Sequence, residues 1–419
     1  MDHAAGKKLF SFEFVALNFV SFFGFCNIAV FYSFYTYLGR IGVPAEWRGF
    51  LVGLEPMTAF ALRLVLVPLV HAGNAARVML ASLIMIMVAL CSYQLAVTVP
   101  ALALLRIFHG LAFVLLVSSS MALVVNFIPA EKSGQGFSVV SITTLVPYAI
   151  MPPLTEVLLR YAVDETRVYA AVSVLAVPGV ILLYLLRPRL EKCLGRLGAP
   201  LIRRPALSEI RENLKRRDVL LILAVNLLVF LSHTTVFYFM KDFSLRLGLG
   251  DVGMFFTILT LVMIGVRLLG GILFDKVSKV RTLQIFMPLL VLCFILFGRM
   301  ESHGMYYLMA GAYGLCLGVI FPLLNAAMFL ASPPHLRVVN SNLMLFMMDA
   351  GFFLGPYAAG ALLAAGFSFR LLFNICAGLI FFGFFFLLML RAERHAHRDD
   401  AVAAISSEGR ISRGERCLR

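Results

Sequence analysis

Seven ionisable side chains stand well inside long apolar runs of this chain: Glu55, Arg63, Arg106, Glu156, His233, Arg267 and Asp349. Such a group at the centre of a membrane helix costs at least about 2.5 to 3.5 kcal/mol, so each needs a partner or a task. Carboxylates, guanidiniums and one imidazole are groups that pair charges and move protons. Glu13, Lys241 and Asp242 lie near enough to the ends of their runs to reach water by snorkelling. Nothing is arranged for covalent chemistry: HExxH, GxSxG and Walker A strings are all missing from the sequence. The string Gly248-Leu-Gly250-Asp-Val-Gly253 matches the dinucleotide pattern GxGxxG, but it lies between two spanning runs with no strand before it. The seven cysteines are scattered without CxxC spacing and read as small core hydrophobes. Neither an enzyme nor a metal or cofactor site is expected.

The elements that hold these groups follow from composition. The chain of 419 residues is 61% hydrophobic and 14% charged, where a soluble domain has roughly 45 to 50% and about 25%. Continuous apolar runs long enough to cross a bilayer as helices recur throughout, and they do not alternate as a β-barrel strand would. Twelve spans are expected, near 10–38, 49–71, 77–97, 101–127, 136–159, 168–187, 218–243, 252–274, 282–299, 305–331, 340–365 and 370–391. With the N-terminus inside, twenty-five Lys and Arg fall on the cytoplasmic side, eight on the other and three within spans. The net charge of +14 is therefore explained by the positive-inside rule and implies no nucleic acid partner. The first apolar run is too long for a signal-peptide core. A multi-pass protein of the bacterial inner membrane, with both termini cytoplasmic and lipid as its surroundings, is expected.

An Arg-rich segment with Pro188, Pro200 and Pro205 divides the spans six and six. This sets expected units of 1–187 (six-helix bundle), 188–217 (basic linker), 218–391 (six-helix bundle) and 392–419 (polar cytoplasmic tail). The halves are related by sequence. A shift of 204 places Arg63 on Arg267, Arg77 on Arg281, Gly110 on Gly314, Leu111 on Leu315, Pro129 on Pro333 and Pro152 on Pro356. A shift of 206 aligns the first and seventh spans, with VFY at 30–32 on VFY at 236–238, Arg40 on Arg246, Gly42 on Gly248 and Asn27 on His233. Parallel six-helix repeats about an axis normal to the membrane describe a transporter architecture with substrate near the midplane between the halves. Such a duplicated chain can form a complete pathway as a monomer.

Three stretches carry a family resemblance. Gly271-Ile-Leu-Phe-Asp275-Lys276-Val-Ser-Lys279 resembles the G-x-x-x-D-R/K-x-G-R/K loop signature of major facilitator superfamily transporters. Arg106-Ile-Phe-His-Gly110 resembles that family's fourth-span R-x-x-x-G element, and Gly351-x-x-x-Gly355-Pro356-x-x-x-Gly360 its GP-containing gate motif. The resemblance covers about residues 10–391 and implies an all-α membrane fold of twelve helices in two pseudo-symmetric six-helix bundles. Two departures stand out. The first copy of the loop signature has His71 where the second has Asp275, and the fifth-span motif of antiporters is reduced to VPYAIMPPLTE, which keeps Pro152 but lacks the glycines.

In this fold spans two and eleven are neighbours, and Arg63 and Asp349 stand at nearly equal depth, some 13 Å at about 1.5 Å per residue. They are expected to form an ion pair, either a latch broken when the halves rock or a static structural pair. Arg267 has Leu145 where a matching acid would stand, so its expected partners are backbone carbonyls or Asp275. Asp275 is placed to face the positive end of the fifth span's helix. These four, with Gly355 and Pro356, are the expected gating residues. For substrate or proton coupling the expected set is Arg106, Glu55, His233, Asn27, Tyr32 and Tyr238. Arg106 is expected to face the central cavity, binding an anionic group or tuning Glu55, or else to bridge helices. His233 is either a titrating group or a helix contact. Dense aromatic residues around the first and seventh spans imply an amphipathic ligand if they line the cavity. The expected function is export of a small amphipathic compound (drug, metabolite or siderophore-like) driven by protons. The alternative is proton-coupled uptake of an organic anion or siderophore-like solute.

Overall fold

In a computed structural model that describes residues 8–66, 68–162, 164–195, 204–248 and 252–390, the chain is helical, with no strand among the described residues. Twelve helices are long and apolar enough to cross a membrane. The second to fifth are Ala45–Leu66, Ala75–Ser92, Val99–Val124 and Ser133–Leu159. The seventh to twelfth are Arg217–Leu247, Val252–Lys276, Lys279–Phe297, His303–Ala331, Arg337–Ala364 and Phe369–Leu388.

Three segments differ from the hydropathy pattern. The first span runs Phe12–Ala29, turns through a 3-10 segment at Val30–Ser33 and resumes at Phe34–Arg40. The sixth is built from Glu165–Ser173 and Ala176–Gly195, so it penetrates the polar segment expected to be linker. That segment also holds a short helix, Leu207–Leu214, where the backbone N–H of Ala206 donates to Glu209 at 2.8 Å and the side chain of Asn213 is buried. A polar helix gives no apolar run, which is why hydropathy reads it as loop. Residues 196–203 and the tail 391–419 lie outside the described residues.

The duplication is visible in how the helices start and stop. Asn74 and Ser278, Thr98 and Ser302, and Asp164 and Ser368 all occupy N-cap positions, and all three pairs are related by the shift of 204. Thr98 accepts from the N–H of Ala101 at 3.4 Å and Ser302 from that of Met305 at 3.2 Å, satisfying equivalent donors at the two helix starts. Gly42 and Gly248 follow the first and seventh spans with φ of 79° and 62°, a left-handed conformation that glycine adopts without penalty.

Each half has its own core. In the first, Leu17, Leu83, Ile86, Leu102, Leu116 and Tyr169 are sealed together; in the second, Leu223, Met287, Leu290, Phe294, Tyr313 and Ile380 are. The halves meet where the second span packs on the eleventh and the fifth on the eighth and tenth. Side-chain contacts between them gather at the end that carries the linker. There Phe60 stacks on Phe346 and Phe353 with centroids 5.0 and 5.4 Å apart, and Phe137 meets Phe329 edge to face at 5.8 Å.

Candidate functional site

Arg63 and Asp349 join the halves. Arg63 is fully buried, its Nε donates to Asp349 Oδ2, and its Nη1 donates to Ser118 Oγ at 3.0 Å. The pair therefore lies between the second and eleventh spans, with a third contact from the fourth.

Arg106 is placed by a proline. Pro56 stands inside the second span and has no N–H to give to the carbonyl of Val52, four residues back. Arg106 takes that carbonyl instead, through Nη2 at 2.9 Å, while its Nε donates to Leu51 O at 3.0 Å. The same Nη2 bonds Glu55 Oε2 at 3.1 Å. Nη1 reaches Tyr93 OH at 3.5 Å, and that hydroxyl is 3.3 Å from His109 Nδ1. The guanidinium also lies over the rings of Phe34 and Phe31, 4.8 and 5.6 Å from their centroids. Arg106 is thus buried in its own half and bridges the fourth span to the second, with Val52, Leu51 and Glu55 taking its donors. Glu55 is the member of the pair with exposed surface.

Glu55 stands midway along the second span, and Tyr148 of the fifth and Tyr238 of the seventh are within electrostatic reach of it. Both tyrosines stand well inside their spans, yet 49% and 44% of their surface is open. Asp349 is also within reach of Glu55. Side chains of three spans, drawn from both halves, thus lie within electrostatic reach of one partly exposed carboxylate. Tyr148 had no part in the expected set; its only signal was its place between Pro147 and Pro152 in a span rich in helix-interrupting residues.

The remaining expected residues are spread over distinct places. His233 Nδ1 is 2.8 Å from Tyr313 OH, and the rings of Phe230, Phe237, Phe321 and Phe352 surround it within 6.5 Å. Asn27 is buried, donates to Phe23 O of its own helix at 2.9 Å, and its Oδ1 has no protein partner. The side chain of Tyr32 lies outside the described residues. Asp275 Oδ1 accepts from the backbone N–H of Gln135 at 3.1 Å, in the first turn of the fifth span, where unpaired amides face an anion favourably. Arg267 is 3% exposed and touches the other half through one long bond, Nη1 to Ser141 O at 3.4 Å. Gly351 and Gly355 face the seventh span: a Cβ on Gly355 would meet the side chain of Thr234 and the carbonyl of Leu231, and Thr234 Oγ1 donates to Gly351 O at 3.0 Å. The glycines of this motif thus let two helices of one half approach closely, and Pro356 is one residue beyond. No cluster of His, Cys, Asp or Glu suited to a metal ion occurs among the described residues.

The sequence profile of the Major Facilitator Superfamily matches residues 14–356. The chain belongs to that family. Solved transporters of the same fold include the human organic anion transporter MFSD10 (TETRAN), 19% identical, with a TM-score of 0.66 over 90% of this chain and 98% of that one. A bacterial homologue of the iron transporter ferroportin in an outward-facing state is 14% identical, with a TM-score of 0.68 over 90% and 98%. Comparison with curated protein sequences gives no match. As a major facilitator, the chain is a multi-pass membrane transporter and not an enzyme, built on two six-helix bundles with a small-molecule substrate.

Proposed function

We propose that this transporter is a proton-coupled exporter of a small amphipathic compound, working as a monomer by alternating access. The observation that carries the reading is Glu55: a carboxylate at half depth, bonded to buried Arg106 and close to open tyrosines from both halves. A carboxylate there exchanges a proton with the cavity at modest cost, because Arg106 retains its two backbone carbonyls when Glu55 becomes neutral. Arg63 and Asp349 act as the latch of the linker end. Neutralising Asp349 or parting the halves breaks that pair, and separating two buried charges is costly enough to make the closed state definite. Asp275, at the end of the eighth span and bonded to the start of the fifth, guides the same motion, and Gly355 and Pro356 shape the eleventh span that carries Asp349.

The distribution of Lys and Arg supports an inner-membrane orientation with both termini and the linker in the cytoplasm. Aromatic walls around Tyr238, Phe237 and Phe352 suit an amphipathic ligand over a bare ion. The test has two parts. Metabolite profiling of cells with and without the protein identifies the compound that accumulates outside. Purified protein in vesicles should then move that compound when a pH gradient is imposed, and Glu55→Gln should lose the dependence on the gradient. Transport indifferent to the gradient in the native protein would refute proton coupling.

A further inference from the structure

Arg267 is the twin of Arg63 under the shift of 204, yet its surroundings are different in kind. Arg63 has a carboxylate from the other half; Arg267 has none, and no salt bridge to it exists among the described residues. It is 3% exposed, and among the described residues its only hydrogen bond is the 3.4 Å contact to Ser141 O and its Nε has no partner. Burying a guanidinium this way costs several kcal/mol unless something compensates. A second unpartnered group lies close by. Ser138, one turn before Ser141 on the fifth span, is 1% exposed with an unsatisfied Oγ, and it lies against Gly271, one turn beyond Arg267. Two buried donor groups, Arg267 Nε and Ser138 Oγ, thus lie at the contact between the fifth and eighth spans with no partner among the described residues.

The one acceptor Arg267 does have belongs to the opposite half. When the linker end opens, the fifth and eighth spans part and Ser141 O moves away, leaving the charge on the cavity wall with nothing to compensate it. Arg63 in the same motion loses Asp349 but keeps Ser118 of its own half. We propose that Arg267 is the anchor for an anionic group of the transported compound, engaged when the linker end is open. The substrate is therefore an amphipathic organic anion, with a carboxylate, sulfonate or phosphate head set against Arg267 and an apolar body against the aromatic walls. The proposal rests on the alternating-access reading above but not on proton coupling.

The matched probes 2-naphthoate and 2-naphthamide differ in charge and little in shape. Bound to purified native protein, the acid is expected to raise the thermal unfolding midpoint and the amide to leave it nearly unchanged. Naphthalene-2-sulfonate should act as the acid does. Arg267→Gln should weaken the acid by about 10- to 100-fold, the range for loss of a charge-assisted hydrogen bond, and Arg267→Lys should retain part of the preference. The ligand-free midpoint gives a separate readout. A merely structural Arg267 would leave Gln less stable than the native protein; an anchor lacking its ligand leaves Gln equal or more stable. Equal response of the native protein to acid and amide, or anion selectivity that survives in Arg267→Gln, overturns the proposal. Proton uptake recorded while the protein reconstituted in vesicles transports the exported compound keeps the two readings apart: anion-selective binding together with transport that moves no protons sinks proton coupling and leaves the anion site standing.

Discussion

The two halves share a backbone and differ in where charge is placed. In the first, Gly110 lets the fourth span approach the second so closely that a Cβ there would lie 2.8 Å from Glu55 O; in the second, Gly314 does the same against Leu259 O at 2.7 Å. Under the shift of 204, Glu55 corresponds to Leu259, so the two contacts are one contact made twice. The side chains at that contact are not duplicated. Glu55, Tyr93, Arg106 and His109 of the first half correspond to Leu259, Phe297, Ala310 and Tyr313 of the second. A hydrogen-bonded polar cluster in one half has become an aromatic and aliphatic core in the other, where Phe297 and Tyr313 pack 5.2 Å apart. Helix approach is fixed by small residues and can be kept through duplication, while embedded charge is costly and persists only where it has work. The same division separates the paired Arg63 from the unpaired Arg267.

The largest expected effect breaks this second contrast. Asp349→Ala leaves Arg63 buried beside Ser118 alone, and removing one member of a buried pair costs about 3 to 5 kcal/mol. A marked fall in the thermal unfolding midpoint and loss of transport are expected. The double variant Arg63→Leu with Asp349→Leu should recover most of the midpoint without recovering transport. If Asp349→Ala unfolds at the native temperature, the pair is not the buried latch described here. The next effect concerns what the halves share. Gly110→Ala and Gly314→Ala each drive a methyl into a backbone carbonyl, an overpacking cost of about 1 to 3 kcal/mol. The two losses should be similar, and a large difference between them would show that the approach is not equivalent.

Much of this was legible in the sequence, and the parts that were not share a cause. Span number, the six-plus-six division and the duplication follow from hydropathy and from landmarks such as Gly110 and Pro129, which constrain local backbone. The Arg63 and Asp349 contact was readable because the family resemblance makes spans two and eleven neighbours, embedded charges need partners and depth along a helix can be counted. Which way a side chain turns around the helix axis was not. For Arg106 both a cavity-facing role and a bridge between helices were open, and helix rotation aims it at the second span, where Pro56 has freed a carbonyl. That signal was present, since a proline always leaves the carbonyl four residues before it without its helical donor. Tyr148 comes within reach of Glu55 and Tyr238 through the relative placement of the fifth, second and seventh spans, a long-range property with no local mark. The break at Val30–Ser33 and the helix Leu207–Leu214 were hidden for the reason that hydropathy averages over both.

A smaller effect sharpens the first contrast. Glu55→Gln is nearly isosteric and keeps an oxygen for Arg106, so its cost in stability should stay within about 1 kcal/mol. Its consequence belongs to transport: the pH dependence of flux should flatten. Leu259→Gln, at the equivalent place in the second half, should leave that dependence unchanged. A flux profile altered equally by both would mean that the asymmetry between the halves has no functional weight.

The smallest expected effect lies outside the membrane and compares two helix caps. Asp164 begins the sixth span by accepting the N–H of Arg167 at 3.0 Å, and Ser368 begins the twelfth by accepting that of Leu371 at 3.2 Å, the same bond under the shift of 204. Only the first cap can titrate. The hydroxyl of Thr166, 2.6 Å from Asp164 Oδ1, holds that carboxyl below its usual range, reinforced by the backbone N–H groups it accepts. A carboxyl lowered in the folded protein stabilises it fully above the unfolded value, about 3.9, and loses that contribution as pH falls through the lowered folded value. Replacing either cap by Ala should cost about 1 kcal/mol near neutrality. In acid the two should diverge. The penalty of Asp164→Ala should shrink as the carboxyl protonates, while that of Ser368→Ala should hold, and unfolding midpoints of both variants across the acid range decide it. Penalties that fall together would mean that the loss at low pH arises elsewhere in the bundle and that the cap at Asp164 carries no charge-dependent share of it.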